Sequence, residues 1–86
     1  MKLDAVLEKI RAERRRNADL PGSEWDAKNT PGDWVAIVTH YVSAEVRRNG
    51  VVPETEEFED NLIKAAAVIA AAIEHIGVMR ERGELQ

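Results

Sequence analysis

The sequence predicts an all-α protein, for three reasons. Apolar residues recur every three or four positions over most of the chain, which is the spacing of one helix face. Breaks at Pro21-Gly22 and from Gly50 to Pro53 divide that pattern into three helices. The last helix is rich in alanine, the residue with the highest helix propensity. We therefore expect one helical domain, 1–86, whose small core is supplemented by oligomerisation.

The first helix is predicted over about 2–18. Leu3, Val6 and Ile10 form its apolar face at helical spacing. A loop, 19–30, follows, because proline, glycine, serine, aspartate and asparagine are concentrated there. Since Trp25 is the tryptophan of this loop, we expect its ring to pin the loop to the helices.

The second helix is predicted over about 31–48 and has a clear start signal. Thr30 is suited to the N-cap, Pro31 to the first helical position, and Asp33 lies three residues after the cap, where its carboxylate can accept from a free backbone N–H. An apolar stripe then continues towards two arginines, and Gly50 is the expected C-terminal cap.

The third helix is predicted over about 54–82 and is the longest element. The glutamates of its first turn suit the positive end of the helix dipole. Alanines at 65–67 and 70–72 make its middle smooth on nearly every side. Since alanine buries little area, such a helix is held by close neighbours. We therefore predict an oligomeric helical bundle in which this C-terminal helix contacts a copy of itself.

Composition excludes several classes of protein. The chain has no cysteine, which rules out disulfides and thiolate catalysis. Its net charge is -4, with acids concentrated after Val52, so nucleic acid is not a favoured partner. The longest apolar run, 65–73, is too short to span a membrane, and the N-terminus lacks the apolar core of a signal peptide. We expect a cytoplasmic protein that does not associate with membranes.

Three acids lie on otherwise apolar helix faces and are candidate metal ligands: Glu13, Glu45 and Glu74. If the three faces meet in one core, their carboxylates provide the oxygen ligands that Mg²⁺ prefers. In the alternative interpretation each acid lies at the edge of its stripe and forms an ion pair, because charged residues are rarely fully buried. The candidate partners for such pairs are Arg14, Arg48 and Arg80.

Two histidines are weaker candidates for chemistry. His40 and His75 each follow a helix face without a second ligand at i+4, the spacing of zinc-binding helices. Half-buried packing is the favoured interpretation of both, with a pH-dependent switch as the alternative.

Arginines are concentrated near the three helix C-termini, and Arg14 and Arg15 belong to the first group. Guanidinium groups bind phosphate through forked hydrogen bonds, and Trp25, Trp34 and Tyr41 are the rings available to stack on a base. The alternative is that the arginines complement helix dipoles and that the rings belong to the core. No glycine-rich phosphate loop or nucleophile elbow is present in the sequence.

Four parts of the sequence carry a family resemblance. They are IRAERRRN at 10–17, Trp25, DWVAIV at 33–38 and FEDNLIKAAAVIAAAIE at 58–74. Together they resemble the small phage and prophage proteins related to MazG-like nucleotide pyrophosphohydrolases. The resemblance covers most of the chain. It implies an all-α oligomer and, in active members, magnesium-dependent hydrolysis of nucleoside triphosphates to monophosphate and pyrophosphate.

The acidic motifs of that family are mostly missing here. Members hold magnesium with an EExxE box and a downstream ExxD pair, whereas this chain reads HYVSAE at 40–45 and EDNL at 59–62. Only Glu45 remains of the first motif, and no acid follows Glu59 by three residues. Activating a water between two metal ions needs more carboxylates than bridging a phosphate does. These departures argue against an efficient enzyme.

The favoured interpretation is a MazG-like scaffold that acts by binding a nucleotide or a host or phage protein. One alternative is a working pyrophosphohydrolase whose acids come from two subunits. The other is a structural or regulatory interaction protein with no ligand pocket. In the favoured interpretation the expected roles are phosphate contact for Arg14 and Arg15, stacking or walling for Trp25 or Trp34, and ligand orientation or binding of one Mg²⁺ for Glu13, Glu45 and Glu74.

Overall fold

The computed structural model of the protein describes residues 1–47 and 49–86. Helices account for 72% of it, and no strand is present in those two ranges, which confirms the all-α class. Five helical segments replace the three that the sequence predicts. They are α1 (Leu3–Ala18), a 3₁₀ helix (Ser23–Lys28), α2 (Pro31–Ser43), α3 (Thr55–Glu74) and α4 (Ile76–Glu81).

The connection between α1 and α2 is more structured than the expected loop. Gly22 has a positive φ of 92°, which turns the chain into the 3₁₀ helix, and the Ser23 hydroxyl donates to the Ala18 carbonyl at 2.9 Å. Trp25 does not pin this segment, because its side chain is 57% exposed. The segment is instead tied to the C-terminus, where the Arg82 guanidinium donates to two of its backbone carbonyls.

Helix α2 begins with the expected capping box. The Thr30 hydroxyl accepts from the Asp33 backbone N–H at 3.1 Å, and the Asp33 carboxylate accepts from the Thr30 N–H at 3.0 Å. The helix ends at Ser43, earlier than predicted, where the Ser43 hydroxyl bonds to the His40 carbonyl. The predicted end at Arg48 lies outside the described residues. Gly50 has a left-handed φ of 85° but lies in the following connection, not at the helix end.

Helix α3 begins within one residue of its predicted start but ends eight residues before its predicted end. Glu54 is its N-cap, because that carboxylate accepts from the N–H groups of Glu56 and Glu57. At the other end the helix stops at Glu74. His75 departs from helical geometry, its Nδ1 lies 2.7 Å from the Ala71 carbonyl oxygen, and α4 follows as a separate short helix. The continuous C-terminal helix to residue 82 is therefore not present.

Helix α3 is the central element, and α1 and α2 each pack against it. Helix α2 runs antiparallel to α3, since Trp34 lies beside His75 and Glu45 beside Asn61. Trp34, Val68, Ala71 and Met79 form the buried core cluster, with half-buried residues around it, and Ala65 and Ala67 of α3 are also buried. The turn at His75 brings Met79 into this core.

The single chain is more extended than its length requires. Its radius of gyration is 14.6 Å, and its extents are 45 × 28 × 25 Å. A compact domain of this length has a radius of gyration of about 12 Å. Within the described ranges, no helix combines the length and apolar character needed to cross a membrane.

Candidate binding site

A cleft of about 240 Å³ opens between α1, the 3₁₀ helix, α2 and α3. A smaller cleft of about 130 Å³ shares Arg14, Ser23 and Asp26 with it and reaches His75. We call the two together the Arg14 cleft. Its main polar lining residues are Arg14, Asn17, Ser23, Asp26, Tyr41 and His75, and its apolar walls include Leu20, Trp34, Ile37 and Val68.

Arg14 is the principal cation of this cleft. It lies in the second half of α1, and its Nε donates to the Glu74 carboxylate at 2.6 Å. Its side chain is 21% exposed, whereas that of Glu74 is 56% exposed. Its terminal nitrogens make no hydrogen bond to another described residue. The ion pair thus fixes the guanidinium in the cleft wall and leaves N–H donors for a ligand.

Trp34 forms a wall of the cleft from the first turns of α2. The side chain is buried, and its ring centroid lies 5.4 Å from that of His75 with the planes tilted by 33°. Its indole Nε1 is buried without an acceptor among the described residues. Most buried donors in proteins have a hydrogen-bond partner, so this N–H is an exception.

The other two residues predicted to bind nucleotide lie outside the cleft. Arg15 is exposed on α1 and does not line it. Trp25 is exposed, and the Lys28 ammonium lies 4.1 Å from the centroid of its ring. The structure therefore brings Arg14 and Trp34 together but leaves Arg15 and Trp25 apart from them.

Glu13 and Glu45 accept hydrogen bonds from different residues. Glu13 accepts two hydrogen bonds from Arg16, which lowers the pKa of the Glu13 carboxyl below its ordinary value. The Glu45 side chain is only 8% exposed, and it accepts from the Asn61 amide and from Arg47. The hydrogen bond from Asn61, followed by that from Arg47, lowers the pKa of Glu45.

The three predicted metal ligands are not brought together in one chain. Glu74 pairs with Arg14, so each acid belongs to a different ion pair. In residues 1–47 and 49–86 no three histidine, aspartate or glutamate side chains approach closely enough to hold a metal ion. The arrangement within the chain follows the ion-pair alternative, although the partners are Arg16, Arg47 and Arg14. Pairing with Arg48 lies outside the described residues.

Sequence reasoning missed Asp26 and did not link His75 to Arg14. Asp26 reaches the cleft from the 3₁₀ helix that follows the turn at Gly22, and His75 reaches it from the turn at the end of α3. The sequence signal for a role in the site was that Asp26 directly follows Trp25 and His75 directly follows Glu74, two of the predicted site residues.

Compared with known proteins, the chain matches no family model, and no curated protein or solved structure is significantly similar to it.

Proposed function

We propose that the protein is a cytoplasmic, phage-type MazG-like helical protein that forms homo-oligomers and binds a nucleotide in the Arg14 cleft. The observation that carries this proposal is the constellation at the cleft. A fixed guanidinium with free N–H donors lies beside polar acceptors and a buried indole with an unpaired N–H. Efficient catalysis is not part of the proposal.

Each side of the cleft suits a different part of a nucleotide. The free edge of the Arg14 guanidinium matches the oxygens of a phosphate group. Asp26 and Asn17 offer acceptors for ribose hydroxyls, and the Trp34 indole wall suits an apolar or aromatic surface. The larger part of the cleft, at about 240 Å³, is below the roughly 300–1,000 Å³ typical of ligand pockets, so a nucleotide would extend beyond that part.

Binding is favoured over hydrolysis by the state of the acids. Glu13, Glu45 and Glu74 each accept hydrogen bonds from a cation. A magnesium ion that bridges phosphates needs one or two carboxylates, whereas a two-metal site that activates water needs several. An active pyrophosphohydrolase would require acids from a second subunit and release of these ion pairs.

The test uses two neighbouring arginines as a matched pair. The wild type, Arg14→Gln and Arg15→Gln are incubated with nucleoside triphosphates and Mg²⁺, and both the melting temperature and pyrophosphate release are followed. Ligand at 100 times its Kd stabilises the fold by about 2.7 kcal/mol. We expect a rise in melting temperature for the wild type and Arg15→Gln but none for Arg14→Gln, each compared with its own ligand-free sample.

Three other results would change the proposal. Equal stabilisation of both variants would place the ligand away from Arg14. Release of pyrophosphate by the wild type would favour the enzyme alternative. No response to any nucleotide would favour an interaction protein without a ligand pocket.

A further inference from the structure

One side of α3 is apolar and faces no other part of the described chain closely enough to be buried. Phe58, Leu62, Ile69 and Ile73 lie on this side and are between 40% and 62% exposed. We call these four residues the α3 stripe. At 3.6 residues per turn, every charged residue of α3 falls on its other sides, where α1 and α2 pack.

The stripe continues onto α2. Val35 and Val42 lie two helical turns apart on α2 and are exposed at 65% and 40%. A groove of about 240 Å³ between the two helices joins Val35 and Val38 to Ile69 and Ile73. The Ile69–Ile73 half of the α3 stripe is thus continuous with exposed apolar residues of α2.

The chain exposes enough surface for a stable dimer. Its accessible surface is 6422 Å² for a mass of 9.6 kDa. A folded monomer of that mass exposes about 5,100 Å², so the excess is roughly 1,300 Å². A standard interface between two proteins buries about 800 Å² on each partner. Covering the apolar face with a second copy would therefore restore an ordinary exposed area per chain.

The spacing of the stripe suits a second copy as the partner. Leu62 and Ile69 are equidistant from the Ala65–Ala66 peptide, and so are Phe58 and Ile73. In a twofold interface with antiparallel helices, each residue meets the one at the mirrored position of the partner. Large apolar side chains then meet on both sides of the centre, where Ala66 is half-buried and Ala65 is already buried within its own chain.

From this spacing and area we infer that two copies pack α3 against α3, antiparallel, around a twofold axis at Ala65–Ala66. Phe58 of one chain meets Ile73 of the other, and Leu62 meets Ile69. The antiparallel arrangement also places the positive end of each helix dipole near the negative end of the other. This inference rests on the self-association in the proposed function and is independent of nucleotide binding.

Cysteine cross-linking tests the register, since the natural chain contains no cysteine. Three single variants, Ala66→Cys, Phe58→Cys and Ile73→Cys, and the Phe58→Cys/Ile73→Cys double variant are treated with a short bifunctional thiol reagent. Copies of residue 66 lie next to the twofold axis. Copies of residue 73 are separated by roughly 22 Å along the direction of the helices, as are copies of residue 58. We expect cross-linked dimers from Ala66→Cys and from the double variant, and none from the other two.

Circular dichroism checks that each variant keeps the wild-type helix content. Efficient cross-linking of Ile73→Cys alone would indicate a parallel pairing and overturn the inferred register. If the protein is dimeric but none of the four variants forms a cross-linked dimer, the two copies associate through another face. A wild-type chain that is monomeric by mass would overturn both the register and the homo-oligomer.

Discussion

The two long sides of α3 differ in the size of their side chains. On the side that faces α1 and α2, the buried residues are three alanines and Val68, and Ala67 is fully buried. On the other side the residues are larger, branched or aromatic, and are exposed. Small residues allow the helices of one chain to approach closely, but they bury little apolar area. The large apolar side chains of α3 are left exposed in the single chain.

The polar contacts of α3 show the same division. Lys9 pairs with Glu59 at 2.8 Å and Arg14 with Glu74 at 2.6 Å, both between α1 and α3. Glu45 from the α2 side bonds to Asn61. The exposed apolar side contains no charged residue of α3. The packed side therefore orients the helices within one chain and builds the Arg14 cleft, whereas the apolar side is suited to assembly.

The largest expected effect is on the packed side, at Trp34. Replacing a buried tryptophan by alanine costs about 3–5 kcal/mol of stability. This is a large share of the free energy of unfolding of a typical protein, which is about 5–15 kcal/mol. We expect Trp34→Ala to lose about 3–5 kcal/mol in urea unfolding. Trp25→Ala is the matched control, since Trp25 is exposed and contacts Lys28, and its loss should cost no more than about 1 kcal/mol. Equal losses would contradict the assignment of the core.

A smaller loss of stability is expected when the pH is lowered and Glu45 becomes protonated. Its partners lower its pKa below the ordinary value of 4.5, so the folded state is stabilised when Glu45 is ionised. That stabilisation is present above pH 4.5 and is lost as the pH falls through the lowered pKa. The free energy of unfolding of Glu45→Gln should therefore differ from that of the wild type more at pH 7 than at pH 2. The same difference at both pH values would show that the contacts of Glu45 do not depend on its charge.

Structural features that depend only on residues close together in the chain can be predicted from the sequence. The Thr30–Asp33 capping box is local, and the structure contains both of its hydrogen bonds. The interruption at His75 is not local, because it accompanies the packing of Met79 in the core with Trp34. The prediction that the Trp25 ring pins its loop to the helices is wrong, because the ring is exposed and Arg82 ties this segment to the C-terminus.

The site shows the same limit. Arg14 and Trp34 were predicted from their chemistry, and both line one cleft. Which cation each acid meets depends on helix packing: Glu74 lies 60 positions from Arg14 in the chain. Periodicity places an acid on a helix face but does not identify its partner across the bundle. Similarly, it places the α3 stripe on one face without showing whether another helix of the same chain covers that face.

Measuring the mass of the protein in solution tests the division between the two sides of α3 most directly. Sedimentation equilibrium of the wild type should give twice the 9.6 kDa of one chain. Ile69→Glu places a charge in the stripe and should give a single chain. Val52→Glu makes the same kind of change at a residue that is 87% exposed in the α2–α3 connection, and it should leave the dimer intact. A wild-type mass of 9.6 kDa would contradict the assembly role of the apolar side.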